Sequence, residues 1–188
     1  MSLFNKMMQS AAGVDTGPNA WDISTAQWLP ENLNYFYIAA QEDNPHGLFI
    51  KPDGTKMYVI GQTFDSVYEY DLSTAWDVSS ASFLQYFDAG AQVSIPTDLF
   101  FKTDGTKMYI LGDTSDDVYE YDLSTAWDVS SASYSTFRDV GSRPEGLFFK
   151  PDGTVMYVCR SETTDRVSQY NLSTAWDVSS ASIGTGLT

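Results

Sequence analysis

Residues 45–60 read Pro45-His46-Gly47-Leu48-Phe49-Ile50-Lys51-Pro52-Asp53-Gly54-Thr55-Lys56-Met57-Tyr58-Val59-Ile60. Two short apolar runs flank an Asp-Gly pair, and glycine takes the positive φ of a tight hairpin without steric cost. The stretch therefore predicts two antiparallel strands, Gly47 to Lys51 and Lys56 to Ile60. It recurs with few changes at 96–111 and at 144–159. Thr97-Asp98 and Thr103 stand in the second copy where the others carry different residues.

Downstream of each hairpin the repetition continues. Val67-Tyr68-Glu69-Tyr70-Asp71-Leu72 alternates with the period of two that predicts a third, half-buried strand. Ser-Thr-Ala-Trp-Asp-Val-Ser-Ser-Ala-Ser then occurs identically at 73–82, 124–133 and 173–182. Phe83 to Phe87 and Tyr134 to Phe137 supply a more variable fourth strand. The units span about 45–82, 96–133 and 144–182, with Trp76, Trp127 and Trp176 spaced 51 and 49 residues apart. A period near fifty residues indicates propeller blades or solenoid units. Four antiparallel strands per unit select the blade. The fold class is thus all-β, a partial propeller of three four-stranded blades. Stacking would bury Leu72, Trp76 and Val78 with their copies between blades, so Trp76, Trp127 and Trp176 are the expected inter-blade core.

The repeated Pro-x-Gly-Leu-Phe-Phe-Lys-Pro-Asp-Gly-Thr-x-Met-Tyr-Val, followed by Val-x-x-Tyr-Asp-Leu, resembles the repeats of YVTN/NHL-like and lactonase-like β-propellers over about residues 45–188. Closed propellers hold roughly four to eight blades. Three blades leave two end faces to cover. The strand-like run Leu33 to Ala39 precedes the first unit in outer-strand register, while Ser182 to Thr188 is a weak last strand. A homo-oligomer is the expected partner arrangement, with residues 33–39 of one chain completing the third blade of its neighbour. A dimer would give six blades and is favoured; a trimer would give nine.

Composition excludes several classes. Net charge is −15, from 10 Lys and Arg against 25 Asp and Glu, which repels phosphate backbones and anionic lipid heads. Neither nucleic acid nor membrane is an expected partner. Cys159 is the only cysteine, so no intrachain disulfide forms. Aligned with Ile60 and Leu111, it is expected as a small buried hydrophobe. No run is long enough to cross a bilayer, and polar residues break the N-terminal apolar stretch, so no export signal is expected.

Signals for catalysis are sparse. His46 is the sole histidine and aligns with Thr97 and Glu145 at the entries to the inner strands, which face the channel mouth of a propeller. These three are the candidate binding residues. The lactonase resemblance implies a metal held at that mouth by Glu, Asn and Asp side chains. Here the aligned positions differ in every unit, so no catalytic residue, metal or cofactor is expected. The loop Asp113 to Asp117 lacks the spacing and closing Glu of a calcium loop.

Residues 1–20 differ from the rest, which spans 21–188. Leu3, Phe4, Met7 and Met8 fall on one side of a short amphipathic helix that Gly13, Gly17 and Pro18 end. Phe4-Asn5-Lys6-x-Met8-x-x-Ala11-Ala12-Gly13 is similar to leaders of bacteriophage fibre and decoration proteins. That resemblance implies docking on another virion structural protein through Leu3, Phe4, Met7 and Met8, and a virion location. The expected function is a non-enzymatic structural or adhesion component of a phage particle. Its aromatic and hydroxyl-rich loops would contact host-surface glycans or proteins. The alternatives are a lactonase-like propeller hydrolase and a bacterial surface propeller module.

Overall fold

Each repeat folds into one sheet because its turns are encoded locally. In the computed structural model, which describes residues 35–161 and 165–184, the first sheet is β1 (Pro45–Ile50), β2 (Lys56–Gly61), β3 (Ser66–Leu72) and β4 (Ala81–Asp88). The second is β5 (Pro96–Phe101), β6 (Lys107–Gly112), β7 (Asp117–Leu123) and β8 (Ala132–Asp139). The third is β9 (Pro144–Phe149), β10 (Val155–Arg160), β11 (Arg166–Leu172) and β12 (Ala181–Ile183). Hydrogen-bonded order follows chain order within every sheet, all antiparallel, so each sheet is a four-stranded meander. The architecture is all-β, three successive propeller blades.

The invariant connector explains itself. Trp76, Trp127 and Trp176 each sit at φ 67°, left-handed backbone that is unusual for so bulky a residue. Each holds it by donating its backbone N–H to the carbonyl of the hairpin glycine, at 2.9 Å for Trp76 to Gly54 and 3.0 Å for the other two. The indole lies against that glycine, so Gly54, Gly105 and Gly153 are required both for their positive φ and because a Cβ would strike the ring. Asp77, Asp128 and Asp177 then cap a 3-10 turn by accepting from the N–H two residues on. The Ser80 hydroxyl closes the loop onto the carbonyls of Asp77 (2.7 Å) and Thr74 (3.2 Å), and Ser131 and Ser180 repeat this. Loop hydroxyls expected to meet glycans are thus partnered inside their own connector.

Two blade junctions carry the core. Tyr58, Ile60 and Val67 of the first blade pack on Leu99, Phe101, Met108, Ile110 and Tyr121 of the second. Tyr109, Leu111 and Val118 of the second pack in the same way on Leu147, Phe149, Met156, Val158 and Tyr170 of the third. The far side of the first blade (Met57, Val59, Tyr68, Tyr70) is covered in part by Phe36 and Ile38.

Among the inner strands β5 is largely buried, while Leu48 of β1 and Phe148 of β9 are exposed because no blade lies against them among the described residues. Four sequence expectations change here. The third strand was expected half-buried, yet Glu69 and Glu120 are buried with their apolar neighbours. Cys159 is exposed, not buried, for it lies on the outer face of the last blade. Trp76 is 45% exposed, so within one chain only Trp127 and Trp176 serve the inter-blade core. Of the expected leading strand 33–39, Phe36 to Ile38 pair into none of the three sheets. The docking residues Leu3, Phe4, Met7 and Met8, with all of residues 1–34, lie outside the described residues.

Candidate functional site

The three inner strands begin with a proline, Pro45, Pro96 and Pro144, and the residues after those prolines mark one end of the blades. His46 and Glu145 are exposed there. Thr97 is not. Its hydroxyl donates to the Pro144 carbonyl at 2.9 Å and is buried, so it joins two blades and offers nothing to a ligand.

Beside it, Asp98 does the same work with a carboxylate. One oxygen accepts the N–H of Leu99 and the other the N–H of Leu147 in the third blade, both at 2.8 Å. Burial raises the Asp98 pKa, and the two backbone donors pull against that rise. Thr97 and Asp98 together clip β5 to β9. The mouth therefore presents an imidazole and a carboxylate on either side of a structural clip. Among the described residues no three His, Cys, Asp or Glu side chains stand close enough to hold a metal ion.

A second constellation escaped the sequence reading, and it lies at the junctions. Glu69 Oε1 accepts from Lys56 Nζ at 2.5 Å, and Lys56 also donates to Asp71 at 2.8 Å. Glu69 Oε2 reaches across to accept the Val129 backbone N–H of the next blade at 3.0 Å. Tyr58 donates its hydroxyl to the Trp127 carbonyl at 2.7 Å. The second junction repeats this atom for atom. Glu120 accepts from Lys107 (2.5 Å) and from Val178 N–H (2.9 Å), and Tyr109 donates to the Trp176 carbonyl (2.7 Å).

Each blade thus grips the Trp-Asp-Val connector of its successor through a tyrosine and a buried glutamate. Burial alone would lower the pKa of Lys56 and Lys107, but hydrogen bonds to their carboxylates raise it above the ordinary lysine value. Burial drives the Tyr58 and Tyr109 phenols well above theirs, which keeps both as donors. The missed signal was covariation within the repeats. Lys56, Glu69 and Asp71 become Lys107, Glu120 and Asp122, then change together to Val155, Gln169 and Asn171.

With this geometry in hand, likeness to solved structures is informative. A candidate 6-phosphogluconolactonase of Bacteroides fragilis superposes with a TM-score of 0.56 at 15% identity, covering 74% of this chain and 37% of that one. A candidate 6-phosphogluconolactonase of Bacteroides uniformis gives 0.53 at 14% identity, covering 74% and 39%. Hydrazine synthase of Kuenenia stuttgartiensis gives 0.51 at 19% identity, covering 78% and 36%. These blades have a lactonase-like propeller fold. The chain spans less than half the length of each of these structures. No family model and no curated protein matches it in sequence.

This finding corrects the expectation of a non-enzymatic protein. Two of these neighbours bear 6-phosphogluconolactonase names, so the fold that was read as mere scaffold is one shared with proteins named as enzymes. Scarcity of histidine had counted against catalysis. That criterion suits a Ser/His/Asp triad and does not exclude other chemistry.

Proposed function

We propose that this chain contributes three blades to a propeller that hydrolyses a neutral lactone at its channel mouth. The observation that carries the reading is the exposure of His46 and Glu145 at the inner-strand entries of lactonase-like blades. The metal that the fold's resemblance implies does not fit these residues. Asp98, the carboxylate next to Thr97, spends both oxygens on backbone N–H groups, and the described residues form no three-ligand cluster. No step is therefore routed through a metal.

In this reading His46 takes a proton from water as the water oxygen bonds to the lactone carbonyl carbon. The tetrahedral adduct collapses by breaking the bond to the ring oxygen, and the imidazolium returns its proton to that oxygen. The product is the open hydroxy acid. Glu145 accepts hydrogen bonds from substrate hydroxyls. The net charge of −15 disfavours a phosphorylated lactone, so the neutral sugar lactone is the better substrate.

Lactone opening followed by proton release tests this. The expected result is faster turnover of gluconolactone than of its 6-phosphate, and a loss of about 10²- to 10⁴-fold in His46→Ala, as for removal of a general base. A rate no greater than spontaneous hydrolysis for both lactones ends the reading.

A further inference from the structure

We propose that the outer face of the third blade binds the first blade of a second copy of this chain, head to tail, so that two copies close a six-bladed ring. The inference is independent of the lactonase reading. It follows from the junction chemistry, which the first and third blades repeat on faces that no blade covers among the described residues.

On the donor side, Tyr157 and Gln169 occupy the places of Tyr58/Glu69 and Tyr109/Glu120. Val167 holds the place of Val67 and Val118; those two are 0% exposed and Val167 is 67% exposed. Phe148, also exposed, follows the edge-on series Phe49–Phe100 (5.5 Å) and Phe100–Phe148 (5.6 Å). On the acceptor side stand Leu48 and Trp76, both exposed, whose counterparts Leu99, Leu147 and Trp176 are buried against a preceding blade.

Repeating the junction therefore makes specific contacts. Tyr157 donates to the Trp76 carbonyl of the second copy, and Gln169 accepts its Val78 N–H. Among the described residues no side chain reaches either group within one chain. The third latch is also the one that must meet water before assembly. A glutamate there would have to be stripped of solvent together with its lysine, a costly step. Val155, Gln169 and Asn171 keep the acceptor oxygen without the charge, and Gln169 is already oriented by donating to Asn171 at 3.1 Å.

The outer strand gives a second, independent match. β4 and β8 run for 8 residues, whereas β12 runs for 3, so the Arg166 to Ser168 stretch of β11 pairs with β10 but has no strand on its other edge among the described residues. A groove of about 430 Å³ lies along that edge, lined by Arg166, Val167, Ser168 and Gln169 among others. The missing segment is present at the other end of the chain. Tyr35-Phe36-Tyr37-Ile38-Ala39-Ala40-Gln41 matches Tyr86-Phe87-Asp88-Ala89-Gly90-Ala91-Gln92, the end of β4 and its exit turn.

Geometry agrees with that alignment. Phe36 meets Tyr70 edge-on at 5.5 Å and 73°, and Phe87 meets Tyr121 at 5.2 Å and 72°. The Ile38 carbonyl accepts from Gln41 and Glu42 as the Ala89 carbonyl does from Gln92 and Val93. Phe87 pairs with Val67 in β3, which places Phe36 of the second copy opposite Val167.

Sedimentation equilibrium of the full chain at micromolar concentration is the first test. The expected mass is twice the 20.9 kDa of one chain. Val167→Glu and Gln169→Ala alter exposed residues of a folded blade; they are expected to yield single chains with an unchanged circular dichroism spectrum. Leu48→Cys places a thiol where Leu99 packs on Ile60, and Cys159 holds the Ile60 place. Mild oxidation should then give a covalent dimer linked between Cys159 and the new thiol.

A single-chain or three-chain mass overturns the two-copy ring. A two-chain mass that survives Val167→Glu, or an oxidised dimer linked only through two Cys159 thiols, overturns the head-to-tail contact. None of these readouts uses lactone hydrolysis, so failure here and failure of the proposed activity are distinguishable.

Discussion

Val118 and Val167 hold the same register in the second and third blades, yet the first is wholly buried and the second is mostly exposed. Leu111 is buried where Cys159 is exposed, and Phe100 is partly buried where Phe148 is exposed. Strand order, hairpin and connector are alike in the two sheets, which differ locally in their latch residues and in the length of the fourth strand. What sets the burial apart is the successor blade, which covers the second sheet and has no counterpart on the third among the described residues. In a repeat protein the burial of a side chain belongs to the junction rather than to the unit, and stability follows nearest-neighbour contacts.

The sharpest way to break the comparison is Glu120→Ala against Gln169→Ala. Removing Glu120 takes one of two carboxylates from Lys107, which keeps Asp122, and leaves the buried Val178 N–H without its acceptor. An unsatisfied buried donor costs about 1–3 kcal/mol. Gln169→Ala acts on an open face, and in the single chain it should stay within ~0.5 kcal/mol of the parent. Urea midpoints of both variants decide it. Equal losses would mean that the closed junction is no stronger than the open face.

Tyr109→Phe against Tyr157→Phe is a milder version. The first leaves the Trp176 carbonyl unsatisfied in a buried place, at a cost of about 1–3 kcal/mol. The second removes a hydroxyl from the face without a successor and should leave the single chain unchanged. A Tyr109→Phe variant as stable as its parent would show that packing, not the hydroxyl, holds the connector.

The same contrast explains what could be read in advance. Asp-Gly hairpins, period-two strands and identical connectors are local signals, and they located the blades closely. Glu69 was misread because alternation assigns Tyr and Glu to opposite environments, and its pairing with Lys56 and its cross-blade acceptor role together make burial tolerable. Cys159 and Trp76 were misread for the converse reason, since alignment with buried siblings says nothing about whether the neighbour is there. At the mouth, Thr97 looked like a ligand-facing residue by alignment with His46 and Glu145. Its burial depends on the Pro144 carbonyl, 47 residues away, which no local pattern reveals.

A smaller effect, on pH, sharpens the difference between charged and neutral latches. Lys56 and Lys107 have pKa values raised in the folded chain by their carboxylate partners. A raised folded value means that stabilisation is complete below the unfolded lysine pKa of about 10.4 and is lost as pH climbs through the folded value. Tyr58 and Tyr109, also raised, add a loss of the same sign. The third latch has Val155, Gln169 and Asn171 in place of the charged set and so has no lysine of its own to lose.

Converting the second latch to the third (Lys107→Val, Glu120→Gln and Asp122→Asn together) leaves every tyrosine in place. The urea midpoint of the parent should therefore fall more steeply above about pH 10 than that of the triple variant. Identical alkaline slopes would show that the ion pairs contribute nothing beyond the acceptor oxygen that glutamine also supplies.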